Sequence, residues 1–258
     1  MPDLTVTVIQ TELDWEDAAG NLRRFDRLIG ALQAATDLIV LPEMFTTGFS
    51  MNAAALAESM DGRAVGWLRE TARRTGAAVV GSIIAADRGR FYNRLCWASP
   101  DGSIVTYDKK HLFGYAGEDR VYTAGDAALL VGVKGWKIRP FICYDLRFPA
   151  WNRNINAAYD LSVFVANWPQ RRAAHWKVLL QARAIENQCF VIGVNRIGTD
   201  GNGLYHSGDS SVIDPLGTIL FRSAHAPCVF TLTLDRGLLD RYRQEFPAWQ
   251  DADRLSLD

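Results

Sequence analysis

Two hydrophobic periods alternate along this chain, and that alternation limits its fold more than any other feature. Leu4 to Gln10 alternates apolar and polar residues at period two, as a half-buried strand does. Asn21 to Ala35 places Leu22, Phe25, Leu28, Ile29 and Leu32 at helical spacing. Asp37 to Leu41 (DLIVL) is a short buried-strand run, closed by Pro42. Arg63 to Thr75 is helical through Val65, Leu68 and Ala72, Gly76 stops it, and Ala77 to Ile84 returns to strand. A helix closed by glycine and followed by a continuous apolar strand marks α/β architecture.

The second half keeps the alternation and adds hairpins. Phe91 to Lys110 holds two β runs around Pro100-Asp101-Gly102, and Ser210 to Phe221 holds two more around Asp214-Pro215-Leu216-Gly217. Trp136 to Asp145, Leu161 to Asn167, Cys189 to Asn195 and Val229 to Leu234 read as further strands. Arg171 to Asn187 reads as a long amphipathic helix, and Gly237 to Gln244 as a short one. Strand–helix units mixed with hairpins predict mixed sheets covered by helices.

Length and charge narrow the function. A chain of 258 residues suits one or two domains and buries about 70–75% of its unfolded surface without a disulfide or metal staple. A formal net charge of −1 argues against a nucleic-acid binder and against a polybasic membrane anchor. MPDLTVTVIQ does not read as a secretory signal, DADRLSLD carries no lipidation motif, and no apolar run is long enough to span a bilayer. A cytoplasmic protein is expected. Cys96, Cys143, Cys189 and Cys228 are then reduced thiols, and their spacing with four scattered histidines predicts no zinc site.

One cysteine differs from the rest. Cys96, Cys189 and Cys228 lie in or beside strand runs and read as packing residues. Cys143 ends the run Ile138–Ile142 and turns at once into polar sequence, where a nucleophile stands exposed at a sheet end. A thiol needs a base or a cation beside it to become a thiolate near neutral pH. No histidine has a convincing context for that. Glu43 follows the strand DLIVL, and Lys109 and Lys110 follow another strand. Strand ends of an α/β sheet converge on one crevice, so a carboxylate, a lysine and Cys143 can meet there.

LPEMFTTGF, YDKKHLF and ICYDLRFP, in this order and spacing, resemble the three motifs of the nitrilase superfamily of carbon–nitrogen hydrolases. RAIEN at 183–187 and GDSSVIDPLG at 208–217 are similar to that family as well, so the resemblance runs from Leu4 to about Leu234. It implies a single domain over 1–258, with a core at about 4–234 and a tail at 235–258. It implies a four-layer α-β-β-α sandwich, with two mixed β-sheets face to face and helices outside. It implies a Glu-Lys-Cys triad carried over to Glu43, Lys109 and Cys143. The family pattern Lys-x-His-Leu selects Lys109 and leaves Lys110 as a surface charge. A further glutamate, seven residues before a glycine, carries over to Glu118 before Gly125. Glu118 then supports Lys109, and the backbone N–H of Tyr144 helps Lys109 hold an oxyanion. No metal or cofactor is implied, and a homodimer or higher homo-oligomer is.

Within the superfamily the resemblance is closest to the bacterial omega-amidase branch, through CYDLRFPAW, VANWP, ARAIENQ, NRIGTDGNG and EFPAWQDAD. It implies hydrolysis of the omega-amide of a small 2-oxo acid through a thioester. The substrate's carboxylate needs a cation, and Arg147 is the candidate clamp, with a structural ion pair or interface contact as its alternative. Phe49, Phe113 and Trp168 are candidate pocket walls or core residues. Arg171-Arg172 reads as a solvated helix start, and GTDGNG at 198–203 as a turn without the ending of a phosphate loop. Other small acyl substrates, such as an N-carbamoyl compound or a nitrile, and a non-catalytic binding member of the fold are the alternatives.

Overall fold

A computed structural model describes residues 1–253. The final five positions, within the expected tail and the C-terminus scanned for lipidation, lie outside the described residues. Two mixed sheets carry the molecule. The first holds β1 (Leu4–Gln10), β2 (Leu38–Val40), β3 (Ala78–Asp87), β4 (Arg90–Ala98) and β5 (Ile104–Asp108). The second holds β6 (Val131–Val133), β7 (Trp136–Ile142), β8 (Leu161–Ala166), β9 (Phe190–Asn195), β10 (Ile197–Thr199), β11 (Tyr205–Ile213) and β12 (Ile219–Ala224). The last strand, β13 (Cys228–Leu234), returns to the first sheet and pairs antiparallel with β1. β1, β2 and β3 run parallel, as do β7, β8 and β9.

The period-two pattern decides which layer each side chain enters. Leu38 and Val40 of β2 point between the sheets, into a core shared with Ile138, Leu161, Val163 and Ile192. Ile39 points outward, into a second core with Phe25 and Ile29 of α1 (Ala18–Gly30). After the short helix α2 (Ala53–Leu56), α3 (Arg63–Thr75) adds Val65, Leu68 and Ala72 to that outer core. Burying one such side chain contributes about 1.5–3 kcal/mol, so each register is strongly specified. Beyond the second sheet, α4 (Pro149–Asn152) follows the Cys143 turn and α5 (Ala173–Asn187) covers β9 and β11, while α6 (Arg236–Glu245) follows β13. α5 lies so close that a Cβ at Gly193 would meet Leu180 at 2.5 Å. The layers are helix, sheet, sheet and helix, as the resemblance implies.

Several boundaries differ from the sequence pattern for local reasons. The first helix starts at Ala18, where Asp17 caps the N–H of Gly20, and ends at Gly30 rather than Ala35. The strand expected over Trp136–Asp145 stops at Ile142, because Cys143 adopts a left-handed φ of 43° and a 3₁₀ turn follows. The helix expected from Arg171 starts at Ala173, behind a 3₁₀ turn at Gln170–Arg172 set by Pro169. Cys96 lies inside the first sheet, where β4 pairs with strands on both sides.

Candidate active site

Three strand ends meet at one pocket. Beyond β2, Glu43 is followed by Met44 with φ 41°, a left-handed value. That turn is tied to β3, since the Met44 N–H donates to Ser82 Oγ at 2.8 Å and the Phe45 N–H to the Ser82 carbonyl at 3.0 Å. Lys109 follows β5 directly, and its N–H donates to the Asn93 carbonyl of β4 at 3.0 Å. Cys143 follows β7. Its turn is anchored by buried Asp145, whose carboxylate accepts from the Ile142 N–H at 3.0 Å, the Tyr107 hydroxyl at 2.7 Å and the His111 N–H at 3.0 Å. A strained, non-glycine turn persists only when its surroundings determine it this fully.

The floor of the pocket is a closed charge network. Lys109 Nζ donates to Glu43 Oε1 at 2.9 Å and to both oxygens of Glu118 at 3.0 and 3.1 Å. Asn93 Nδ2 bridges the two carboxylates, at 2.8 Å from Glu43 Oε1 and 3.1 Å from Glu118 Oε1. The backbone N–H of Asn167, just past β8, donates to Glu43 Oε2 at 2.8 Å. The Phe113 N–H donates to Glu118 Oε2 at 2.5 Å. Glu43 and Glu118 are fully buried, and Lys109 is 1% exposed.

Burial opposes the charge on Lys109, but Glu118 and Glu43 outweigh it and hold the ammonium protonated well above the ordinary lysine range. Burial pushes the Glu118 carboxyl up, against the pull of Lys109. The Cys143 thiol is raised by burial and by the Glu43 anion, with Lys109 opposing. Burial and Glu43 thus favour the thiol form of Cys143, against the cation beside it. A base beside it must take the proton as the sulfur reacts.

Above this floor the pocket opens to about 290 Å³. Phe49, Phe113, Tyr144 and Trp168 line it, together with Glu43, Lys109 and Cys143. The Lys109 ammonium lies 5.1 Å from the Phe49 ring centre. Arg147 lines the pocket too; its guanidinium stacks over Trp168 at 4.7 Å and meets His175 Nδ1 at 3.0 Å. It forms no ion pair among the described residues, so the structural ion pair weighed for it is not formed there.

The pair Arg171-Arg172 does not simply face solvent. Both residues line the pocket mouth, Arg171 over Tyr115 and Arg172 over Phe113 at 5.1 Å. The loop after β10 forms part of the opposite wall, and its Asp200 carboxylate accepts from the N–H groups of Asn202 and Leu204 at 2.9 Å each. The structure therefore brings every candidate site residue to one place. It adds Asn93, Asn167, Arg171 and Arg172, which sequence reasoning missed. Asn167, Arg171 and Arg172 had a signal, since they follow the end of β8 as Glu43 follows β2. Asn93 had none, because it sits inside β4. Among the described residues no cluster of three or more His, Cys, Asp or Glu is placed to hold a metal. None of their helices is long and apolar enough to cross a membrane.

The comparisons with known proteins give the family. The family model described as carbon-nitrogen hydrolase matches residues 5–244. The chain is 46% identical over 258 residues to "Omega-amidase YafV" of Escherichia coli (strain K12), covering 100% of both chains. It is 33% identical over 252 residues to "2-oxoglutaramate amidase" of Bacillus subtilis (strain 168), covering 96% of each. Among solved structures, XC1258 from Xanthomonas campestris superposes with a TM-score of 0.98 at 46% identity, over 100% of both chains. That structure is described as a CN-hydrolase superfamily protein with an arsenic adduct in its active site. Sequence, fold and relatives agree: this chain belongs to the carbon–nitrogen hydrolase family.

Proposed function

We propose that the protein is an omega-amidase, which releases ammonia from the side-chain amide of a small 2-oxo acid such as 2-oxoglutaramate. The observation that carries the reading is the joining of two opposed regions in one small pocket. A sealed Glu–Lys–Glu floor lies beside a cysteine, and a mouth lined by three arginines lies above it. Full-length relatives named omega-amidase support the same reading.

The roles follow from chemistry. Glu43 takes the Cys143 proton as sulfur attacks the amide carbon, and the carbonyl oxygen becomes an oxyanion. Lys109 and the Tyr144 N–H stabilise that oxyanion. Glu43 passes its proton to the amide nitrogen, the carbon–nitrogen bond breaks, and ammonia leaves a thioester on Cys143. Glu43 then removes a proton from water, whose oxygen attacks the thioester. The carbon–sulfur bond breaks, the proton returns to sulfur, and the free acid departs. Glu118 positions Lys109 throughout. Phe49, Phe113 and Trp168 wall the carbon chain, and Arg147 receives the carboxylate.

The same reading takes residues 1–258 as one catalytic domain and places it in the cytoplasm as a homodimer. Val178 and Ile185, 65% and 49% exposed on α5, support a protein contact there. The test is ammonia release from 2-oxoglutaramate, its four-carbon analogue, glutamine, asparagine and a nitrile. Turnover of the 2-oxo amides, lost by at least about 10⁴-fold in Cys143→Ala, is expected. Wild-type silence on both 2-oxo amides would overturn the substrate, and an active Cys143→Ala protein the mechanism.

A further inference from the structure

Arg147 is one of three guanidiniums at the pocket mouth, and the other two differ from each other. Arg171 is exposed, whereas Arg172 is partly buried against the face of Phe113. The Arg172 backbone is pinned, because the Trp168 indole N–H donates to its carbonyl at 2.8 Å. The 3₁₀ turn then delivers Arg172 to the pocket before α5 begins at Ala173.

Among the described residues the Arg172 guanidinium has neither an ion-pair partner nor a side-chain hydrogen bond. Asp200, which lines the same pocket, forms no ion pair with it, and its Oδ1 accepts from the N–H groups of Asn202 and Leu204 in its own loop. Burial, Arg171 and Arg147 all act against the charge on Arg172 and lower its basicity, and the Cys143 sulfur is near enough to act in the opposite sense. A half-buried cation among like charges, with no protein acceptor, is stabilised when an anion enters. The Glu43–Lys109–Glu118 floor is not that anion's seat, since with Glu43 ionised it carries two carboxylates to one ammonium and repels a further standing anion.

We propose that Arg172 closes the carboxylate site opposite Arg147, forming a two-arginine clamp that selects anionic over neutral amides. Arg171, over Tyr115 at the rim, lies outside this clamp. The proposal rests on the omega-amidase reading only for the identity of the anion. A planar guanidinium on each side suits a carboxylate, which accepts paired N–H donors; a lysine would supply only a point charge.

Two measurements test it. In the first, the ratio of kcat/KM for 2-oxoglutaramate to that for valeramide is compared between wild type and Arg172→Gln. A fall of about 30-fold, carried by KM rather than kcat, is expected, with Arg172→Lys intermediate. Equal losses on both amides would show a scaffold role and overturn the clamp. The second uses calorimetry of 2-oxobutyrate, a small 2-oxo anion, on the Cys143→Ala protein with and without Arg172→Gln. Binding at least about tenfold weaker without Arg172 is expected. Binding that is equal in both, or undetectable in both, overturns the clamp whatever the amidase result. Arg172-dependent binding in an enzyme inactive on 2-oxoglutaramate would instead overturn the omega-amidase reading and leave the clamp standing. A circular-dichroism melt of Arg172→Gln confirms that the variant is folded.

Discussion

The floor and the mouth of the pocket lie a few residues apart and are built on opposite principles. At the floor, Lys109, Glu43, Glu118 and Asn93 satisfy one another through bonds of 2.8 to 3.1 Å, out of contact with water. At the mouth, Arg147, Arg171 and Arg172 converge, and none of the three forms an ion pair among the described residues. The contrast separates two tasks. Groups that perform chemistry are preorganised before substrate arrives, so no reorganisation is needed during the reaction. Groups that recognise charge are left incomplete, so the ligand supplies the missing partner.

The largest test strikes the floor. Lys109→Ala leaves two buried carboxylates facing each other, so stability is expected to fall by about 3–5 kcal/mol. Activity should fall at least about 10³-fold. Chemical denaturation and ammonia release read the two effects, and unchanged stability would break the idea of an interdependent floor. Next comes Asn93→Leu, which keeps the volume but removes the bridge. A loss of about 100-fold in kcat is expected, with the acid limb of the pH profile moving upward as the Glu118 carboxylate loses a donor that holds it down. A lower rate with an unmoved acid limb would reduce Asn93 to a packing residue.

The mouth should be the region that answers mild acid. His206, in the wall near Arg196, is held down to about 4, first by burial and then by the Arg196 charge. The unfolded chain therefore binds the proton that the native chain refuses. The stability is complete above the unfolded value of about 6.5 and is lost as pH falls toward the folded value, by roughly 2 kcal/mol at pH 5. Denaturation at pH 7 and pH 5 checks this, and His206→Gln should flatten the slope. The smallest effect belongs to Arg171→Gln. Its loss in kcat/KM should be about two- to fivefold at low ionic strength and vanish near 0.5 M salt, since an exposed charge acts by steering. A loss that survives high salt would place Arg171 inside the clamp.

The two regions were also unequally legible in the sequence. Alternating periods gave the layers, and strand ends carrying Glu43, Lys109 and Cys143 pointed to one crevice, because parallel strands deliver their ends to the same side. Asn93 was hidden because a polar residue within β4 looks like any half-buried strand position; its meaning comes only from the turns of two other strands. Arg171 and Arg172 were misread because two arginines before a helical pattern resemble a solvated first turn. Pro169 and the 3₁₀ turn behind it redirect them, and that redirection is a matter of backbone geometry rather than composition. The strand past Ile142 failed for a related reason, since the left-handed Cys143 is imposed by Asp145 and its partners in other segments.

The arithmetic of the floor, two carboxylates to one ammonium, has a bearing on what happens after the bond is cut. An amide is neutral where it meets Glu43, but the acid that replaces it becomes an anion as it gives its proton to water. In the proposed reaction each turnover therefore creates a third negative charge beside two that already share a single cation. Beside two fully buried carboxylates that repulsion is strong. It favours departure of the acid over its return to the thioester. The imbalance that tightens the resting site thus becomes a means of ejecting product.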